Sequence, residues 1–223
     1  MLKRVFEWQG QQFIELSDEA RSGGSAFDQT RDILERMDLE LRKDETSLIG
    51  TARTRLWARD RSARDRGSRA RVDVLSGPAR SASSSYIAPD HFKTDADIAV
   101  DLLAMKPAKG LEKRLAEYEP PITPLRYVVY GPLVHLSGVT SETGTLAEQA
   151  GVIFERIGGS LTHAGTSWEK AVRVSFHLLR GESQAEMERL FGNRAPNAET
   201  EYALVDGYST PGKRVEVEVT AAV

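Results

Sequence analysis

The chain has 223 residues, 40% of them hydrophobic and 28% charged, which suits one large or two small domains that each bury a core. Its net charge of −3 gives no general attraction to nucleic acid or anionic membranes. It contains no cysteine, so disulfides, thiolate nucleophiles and cysteine-ligated metals are excluded. The N-terminal residues lack the apolar core of a signal peptide, and no apolar run approaches the roughly 18 residues that span a bilayer. We therefore expect a cytoplasmic protein.

The sequence is similar to itself at an offset of 120 residues. Eight residues between positions 29 and 57 are identical to their counterparts without a gap. The same offset aligns residues 13–17 with 133–137, ahead of the helical part. A repeat of this length indicates a domain duplication, because the units of a solenoid have only about 20–50 residues. The predicted domains are a front unit, a linker with one or more helical turns, and a rear unit, over residues 1–105, 106–124 and 125–223.

In the front unit, hydrophobic periodicity predicts a hairpin around Gly10, a helix from Ala26 and two further strands. The strands lie over residues 5–8, 12–16, 51–58 and 97–104. Residues 59–71 contain six arginines and two aspartates. This composition predicts a solvated, poorly ordered helix, and a phosphate-binding nucleic-acid patch is the alternative interpretation.

The rear unit shows the same pattern more clearly. Its predicted strands lie over residues 127–130, 133–137, 171–178, 202–205 and 214–222, and its predicted helices over residues 145–163 and 183–191. Because both units follow the order β-β-α-β-α-β, the sequence predicts an α+β fold. In such a fold the helices pack on one face of each sheet.

Five short motifs occur in a fixed order along the two units. They are a strand ending in Ser137-Gly138, a helix opened by Gln149, a turn over residues 164–167, the Pro-Ala-Arg-Ser run at 78–81, and the Val-Glu-Val-Glu strand at 215–218. Together they resemble the RidA (YjgF-type) imine and enamine deaminases, once in each half of the chain. The resemblance implies chorismate-mutase-like units that assemble as trimers with a ligand cleft at each boundary. For a tandem chain it implies a homo-oligomer with pseudo-threefold packing.

The resemblance also implies site residues. In the family, the arginine of Pro-Ala-Arg-Ser holds the substrate carboxylate, and Arg80 matches it. A guanidinium suits this role because it donates two parallel hydrogen bonds and keeps its charge. At the 120-residue offset Thr200 stands in the place of Arg80, and it is a second substrate-binding candidate. Ser137, Gly138 and Glu218 match the other half of the cleft, where Glu218 positions the attacking water. We therefore expect Glu218 and Ser137 to be catalytic, and Arg80, Gly138 and Thr200 to bind substrate.

The implied function is hydrolytic deamination of a small carboxylated imine or enamine, with no metal or organic cofactor. The expected partners are a small carboxylate-bearing ligand and further copies of the chain, with no membrane and no nucleic acid. A non-catalytic ligand-binding or assembly module of the same fold is the first alternative, and RNA binding or ribonuclease activity ranks below it. The four histidines have no metal-ligand spacing. Glu216 shares a strand face with Glu218, and we expect one of the two to be solvated and the other functional.

Overall fold

The computed structural model describes residues 1–21 and 23–223. Within them, the helices are α1 (Ala26–Arg42), α2 (Arg61–Val74), α3 (Leu146–His163) and α4 (Gln184–Phe191). The front strands are β1 (Leu2–Trp8), β2 (Gln11–Glu19), β3 (Thr51–Ala58), β4 (Ala82–Ile87) and β5 (Ile98–Met105). The remaining strands are β6 (Lys113–Ala116), β7 (Tyr127–Tyr130), β8 (Leu133–Leu136), β9 (Val139–Thr140), β10 (Ala171–Leu179), β11 (Glu199–Val205) and β12 (Val215–Ala222).

The two halves form two sheets with the same strand order. The front sheet runs β1-β2-β5-β3-β4, and the rear sheet runs β7-β8-β12-β10-β11, with β6 added beside β7 and β9 paired with β12. In each sheet one pair is parallel, β3 with β4 and β10 with β11. The helices α1 and α2 cover one face of the front sheet, and α3 and α4 cover the corresponding face of the rear sheet. The uncovered faces of the two sheets contribute to the contact between the units.

Local sequence explains the main elements. Gln9 and Gly10 both have positive φ, at 51° and 72°, which is the geometry of a two-residue hairpin turn. Each long helix begins with a capping box, formed by Ser25 in α1 and by Thr145 in α3. In β12 the valines point into the helix-covered core, while Glu216 and Glu218 lie on the face toward the front unit. The alternation therefore gives this strand one apolar and one acidic face.

Three features differ from the sequence-based expectations. The front unit has a strand, β4, that the sequence did not predict, whereas its rear counterpart β11 lies at the predicted strand 202–205. The linker carries the strand β6 and no helical turn, and β6 pairs with β7. Residues 61–74 form an ordered helix, capped by Asp60, whose side chain accepts a hydrogen bond from the Ala63 amide.

The register of the sheets revises the repeat alignment beyond the third strand. Arg53 pairs with Ala82, and its counterpart Arg173 pairs with Glu199. The offset is therefore 120 residues at β3 but 117 at β4, so the rear unit is three residues shorter between these strands. Thr200 corresponds to Ser83, and the counterpart of Arg80 is Asn197.

The helix α2 packs unusually close to the front core at Gly67. A Cβ at this position would lie 2.7 Å from Ile98 Cδ1 and 3.0 Å from Thr30 Oγ1. Only a residue without a side chain allows this approach of α2 to the front core.

We expect Gly67→Val to lower the free energy of unfolding by about 1–3 kcal/mol through overpacking. Gly151→Ala, in the middle of α3, is the matched control. Nothing lies within 4 Å of a Cβ there, so this change is expected to stabilise by about 0.5–1 kcal/mol. Urea unfolding of both variants checks the contrast, and an undisturbed Gly67→Val variant would contradict the tight packing.

Candidate active site

A buried ion cluster joins the two units at Glu218. This rear residue is 1% exposed, and its carboxylate accepts hydrogen bonds from Arg55 Nε at 2.9 Å, Ser84 Oγ at 2.5 Å and Tyr86 Oη at 2.9 Å. The Arg53 guanidinium lies 3.4 Å away. All four partners belong to the front unit. Glu218 therefore fixes β12 against β3 and β4.

A second joint lies at Ser137 and Gly138. The Ser83 amide donates to Ser137 Oγ at 3.1 Å, and the Gly138 amide donates to the Ser83 carbonyl at 3.2 Å. The front strand β4 is thus bonded to the end of β8. Ser137 is 2% exposed, so its hydroxyl serves this joint.

A cavity of about 530 Å³ opens at this boundary, within the usual size of ligand sites. Its wall is built from α2 and β4 of the front unit, the linker, and the rear unit. The lining residues are Arg64, Ser68, Arg71, Val72, Ser83, Ser84, Ser85, Tyr118, Ile122, Thr123, Pro124, Gly138, Val139, Thr140, Arg156, Ser209, Lys213 and Glu216. Neither unit alone encloses it.

The cavity wall carries four cations and a single carboxyl group. Arg64, Arg71, Arg156 and Lys213 are the cations, and Glu216 is the acid. Arg64 Nε is buried and has no hydrogen-bond acceptor among the described residues. Burial lowers the pKa of Arg71 to about 10, which still leaves it charged at neutral pH. The cavity therefore suits an anionic ligand that also accepts hydrogen bonds from the serine and threonine hydroxyls.

Gly138 gives Glu216 its place in this wall. A Cβ on Gly138 would overlap the Glu216 carboxyl group, so the glycine makes room for it. In the front unit Asp18 stands in the place of Gly138, and Ala99 stands in the place of Glu216. Because Ala99 has no carboxyl group, a side chain fits at position 18. The Ser-Gly step and Glu216 are therefore two parts of one arrangement.

The two glutamates of β12 lie in opposite electrostatic environments. Burial raises the pKa of Glu216 to about 8, and the negative charge of Glu218 acts in the same direction. Burial would also raise the pKa of Glu218, but Arg55 and Arg53 hold it well below its ordinary value. At neutral pH a protonated carboxyl group thus lines the cavity, and an ionised one lies behind the cavity wall. Such a pair can divide acid and base roles between its members.

Both glutamates are buried, at 7% and 1% exposure, so the expectation that one of them is solvated is wrong. Glu218 is not among the described residues that line the cavity, although Ser84, which donates to it, is. The sequence pattern assigns no specific role to Glu216. The feature of the sequence that points to Glu216 is Gly138, the glycine after Ser137.

Arg80 lies in an adjoining cavity of about 210 Å³. The two cavities share Arg71, Val72, Ser83, Thr123 and Pro124 as lining residues, so they are neighbours along one wall. Arg80 forms an ion pair with Glu117 of the linker.

Thr200 lies elsewhere. It is exposed on β11, where it pairs with Val174, and it lines neither of the two cavities. The structure therefore brings Gly138 and Arg80 to one connected region, with Ser137 and Glu218 behind its wall and Thr200 outside it.

The described part of the chain contains no group of three His, Asp or Glu side chains that could hold a metal ion. In the same residues no helix is long and apolar enough to cross a membrane.

No protein-family model matches the sequence, and no curated protein matches it. Among solved structures, a chorismatase superposes on 98% of this chain and 79% of its own with a TM-score of 0.66 and 14% identity. This match spans both units. The fold is that of a tandem RidA-like chain.

Shorter solved structures match about half of the chain. One is a member of the YjgF/YER057c/UK114 family from Mycobacterium tuberculosis, with 24% identity and a TM-score of 0.42, covering 50% of this chain and 100% of that one. Another is a YjgF family member from Neisseria meningitidis, with 25% identity and a TM-score of 0.43, covering 50% and 94%. The predicted fold class and tandem organisation are confirmed, and the relationship is one of fold.

Glu216→Gln and Glu218→Gln should change stability in opposite ways. Between its ordinary pKa of 4.5 and its folded pKa of about 8, Glu216 binds a proton in the folded state that the unfolded state has released. The contribution of this group to the free energy of unfolding is lost as pH rises. The Glu216→Gln variant should therefore become more stable relative to the wild type between about pH 5 and pH 8.

Glu218 has a lowered folded pKa, so its contribution is present above the ordinary value and is lost only in strong acid. Glu218→Gln leaves Arg53 and Arg55 without their counter-ion and should lower the unfolding free energy by about 3–5 kcal/mol at neutral pH. Urea unfolding over this pH range checks both variants. Equal effects of the two changes would contradict the assignment.

Proposed function

We propose that the inter-unit cavity hydrolyses a small carboxylate-bearing enamine or imine to a 2-keto acid and ammonia. The observation that carries the proposal is Glu216, a carboxyl group that stays protonated at neutral pH in a cavity whose other charged lining residues are all cations. The cations attract and orient the substrate carboxylate, while the protonated glutamate supplies an acid where one is needed. A working pKa near the operating pH is what general acid catalysis favours.

The steps follow from these groups. Glu216 gives its proton to the β-carbon of the enamine, whose C=C electron pair forms the new C–H bond and leaves an iminium at C2. Water then adds to C2, and the Glu216 carboxylate takes back a proton from it. Glu216 next gives this proton to the nitrogen. The C–N bond then breaks with its electrons going to ammonia, a lone pair of the C2 hydroxyl oxygen forms the C=O bond, and the hydroxyl proton returns to the Glu216 carboxylate. An imine substrate enters at the second step.

Glu218 and Ser137 keep a role in this proposal as positioning residues. Glu218 accepts a hydrogen bond from Ser84 Oγ, so it sets the orientation of a hydroxyl in the cavity wall. Ser137 holds Ser83 in the wall. Imines and enamines also hydrolyse without a catalyst, so the site has to lower the barrier only modestly, by about 1.4 kcal/mol for each factor of ten.

A related substrate class is favoured by the size of the cavity. Two adjoining spaces of about 530 and 210 Å³ exceed the needs of a three-carbon imino acid. An enol ether of pyruvate attached to a ring acid is hydrolysed by the same protonation at the β-carbon, with an alcohol leaving instead of ammonia. The solved structure with the matching fold is a chorismatase. Chorismate is such an ether, and it is therefore the first compound to test.

Further proposals concern assembly and binding. We retain a homo-oligomer with pseudo-threefold packing as a proposal, which sedimentation of the purified chain tests. RNA binding is less favoured, because Arg64 and Arg71 of the arginine-rich helix face the cavity. Ligand binding without turnover would support the non-catalytic alternative.

The central test is Glu216→Gln, assayed with imines generated in place by an amino acid oxidase and followed by keto acid release. We expect the catalysed rate to fall by roughly 10²–10⁴-fold, the usual contribution of a general acid. Glu199→Gln, an exposed change on β11, is the control and should be silent. An unchanged rate in Glu216→Gln would contradict the proposal.

The wild-type rate should also fall above about pH 8, where Glu216 loses its proton. If Arg80 binds the substrate carboxylate in the adjoining cavity, Arg80→Ala should abolish activity. If the substrate is bound only in the main cavity, this variant should remain active. A rate that increases from pH 7 to pH 9 would contradict the acid role of Glu216.

A further inference from the structure

The linker forms a loop over both cavities. Residues 117–125 leave β6 and return to β7, and the loop is closed at its base by the Arg126 amide, which donates to the Ala116 carbonyl at 2.9 Å. Within the described residues, no main-chain hydrogen bond involves residues 117–125. Residues 119–123 are exposed, and Leu125 is buried at the far end. A segment without such bonds can open at low free energy between its anchored ends.

This loop is part of the cavity wall. Tyr118, Ile122, Thr123, Pro124 and Leu125 each line one or both cavities. Opening of the loop therefore changes the access of a ligand to the cations beneath it.

Two side-chain contacts hold the start of the loop. Glu117 forms an ion pair with Arg80, whose side chain is 37% exposed against 34% for Glu117. The guanidinium of Arg126 lies 5.8 Å from the centre of the Tyr118 ring. The ion pair is the only one of the two that reaches the front unit, so it fastens the loop across the boundary.

Glu117 is poorly satisfied in this position. One carboxylate oxygen binds Arg80, but Oε2 is buried and has no hydrogen-bond partner among the described residues. A buried oxygen of a charged group without a donor is costly. Arg80 thus holds a carboxylate from its own chain, at a place where a ligand carboxylate could accept both parallel hydrogen bonds.

We infer that Glu117 is a built-in competitor that controls entry to the anion site: a ligand carboxylate binds Arg80 by displacing Glu117, and this displacement releases the 117–125 loop. The inference rests on the proposed function in taking a carboxylate as the ligand, but it concerns binding and access, not turnover. Glu117 thereby selects for carboxylates that bind a guanidinium through two oxygens, against halides that cannot.

The test compares Glu117→Gln with Glu119→Gln, using pyruvate as the probe. Both changes remove one negative charge from the same loop, but Glu119 is exposed and no described residue pairs with it. Isothermal titration measures pyruvate affinity, and hydrogen–deuterium exchange measures the opening of residues 117–125.

We expect Glu117→Gln to bind pyruvate roughly two- to fivefold tighter than the wild type, the range that partly exposed ion pairs contribute. Its loop should exchange without ligand as fast as the wild-type loop does with saturating pyruvate. Glu119→Gln should match the wild type in both measurements.

The inference is overturned if Glu117→Gln and Glu119→Gln bind pyruvate equally, if loop exchange is the same in both, or if neither variant nor the wild type binds pyruvate. The result is separable from that for the proposed function. If Glu117 competes with pyruvate but no keto acid is released, the proposed enzyme activity is wrong and the inference about Glu117 stands. If turnover depends on Glu216 but not on Glu117, the proposed activity stands and the inference is wrong.

Discussion

The ion cluster around Glu218 is the interaction on which the rest of the molecule depends. It places a rear carboxylate among Arg53, Arg55, Ser84 and Tyr86 of the front unit. Buried charges are expensive to desolvate, so such a cluster contributes more to specifying one arrangement than to net stability. Here the specified arrangement is the relation of β12 to β3 and β4. The cavity wall has strands from both sides of that contact, so its shape is fixed by the same charges.

The chemistry of the cavity is a secondary effect of this cluster. Once Glu218 is ionised and paired, its charge acts on Glu216, two residues away on the same face of β12. No guanidinium among the described residues pairs with Glu216, and burial raises its pKa so that it keeps its proton. One strand thus presents a fixed negative charge to the interior and a neutral acid to the ligand. The assignment of roles follows from which glutamate the front unit can reach.

The sequence predicted the fold well where packing depends on local periodicity. The helices, the alternation of β12 and the duplication were all readable from apolar spacing. It missed β4, whose serine-rich run Ala82–Ile87 has no apolar alternation and is held by hydroxyl and main-chain bonds to the other unit. It missed β6 for a similar reason, since Lys113–Ala116 is largely polar and becomes a strand by pairing with β7.

The site was harder to predict because its parts come from distant positions. A sequence shows two glutamates on one face of β12, but not that Arg53 and Arg55, more than 160 residues earlier, select Glu218. The arginines of α2 were read as a solvated face, yet Arg64, Ser68 and Arg71 recur at helical spacing and share the side that meets the cavity. The Thr200 assignment failed as an equivalence because a three-residue shortening between β10 and β11 is invisible without the strand register.

Among the described residues the joint between β4 and the Ser137-Gly138 step occurs once, and this makes the duplicated halves unequal. The front unit presents its β4 edge there and the rear unit its β8 end. The unused positions hold Asn197, Asp18 and Ala99 where the working ones hold Arg80, Gly138 and Glu216. Two copies that began as interchangeable have become complementary parts, so a pair of front units or a pair of rear units would lack one side of the joint.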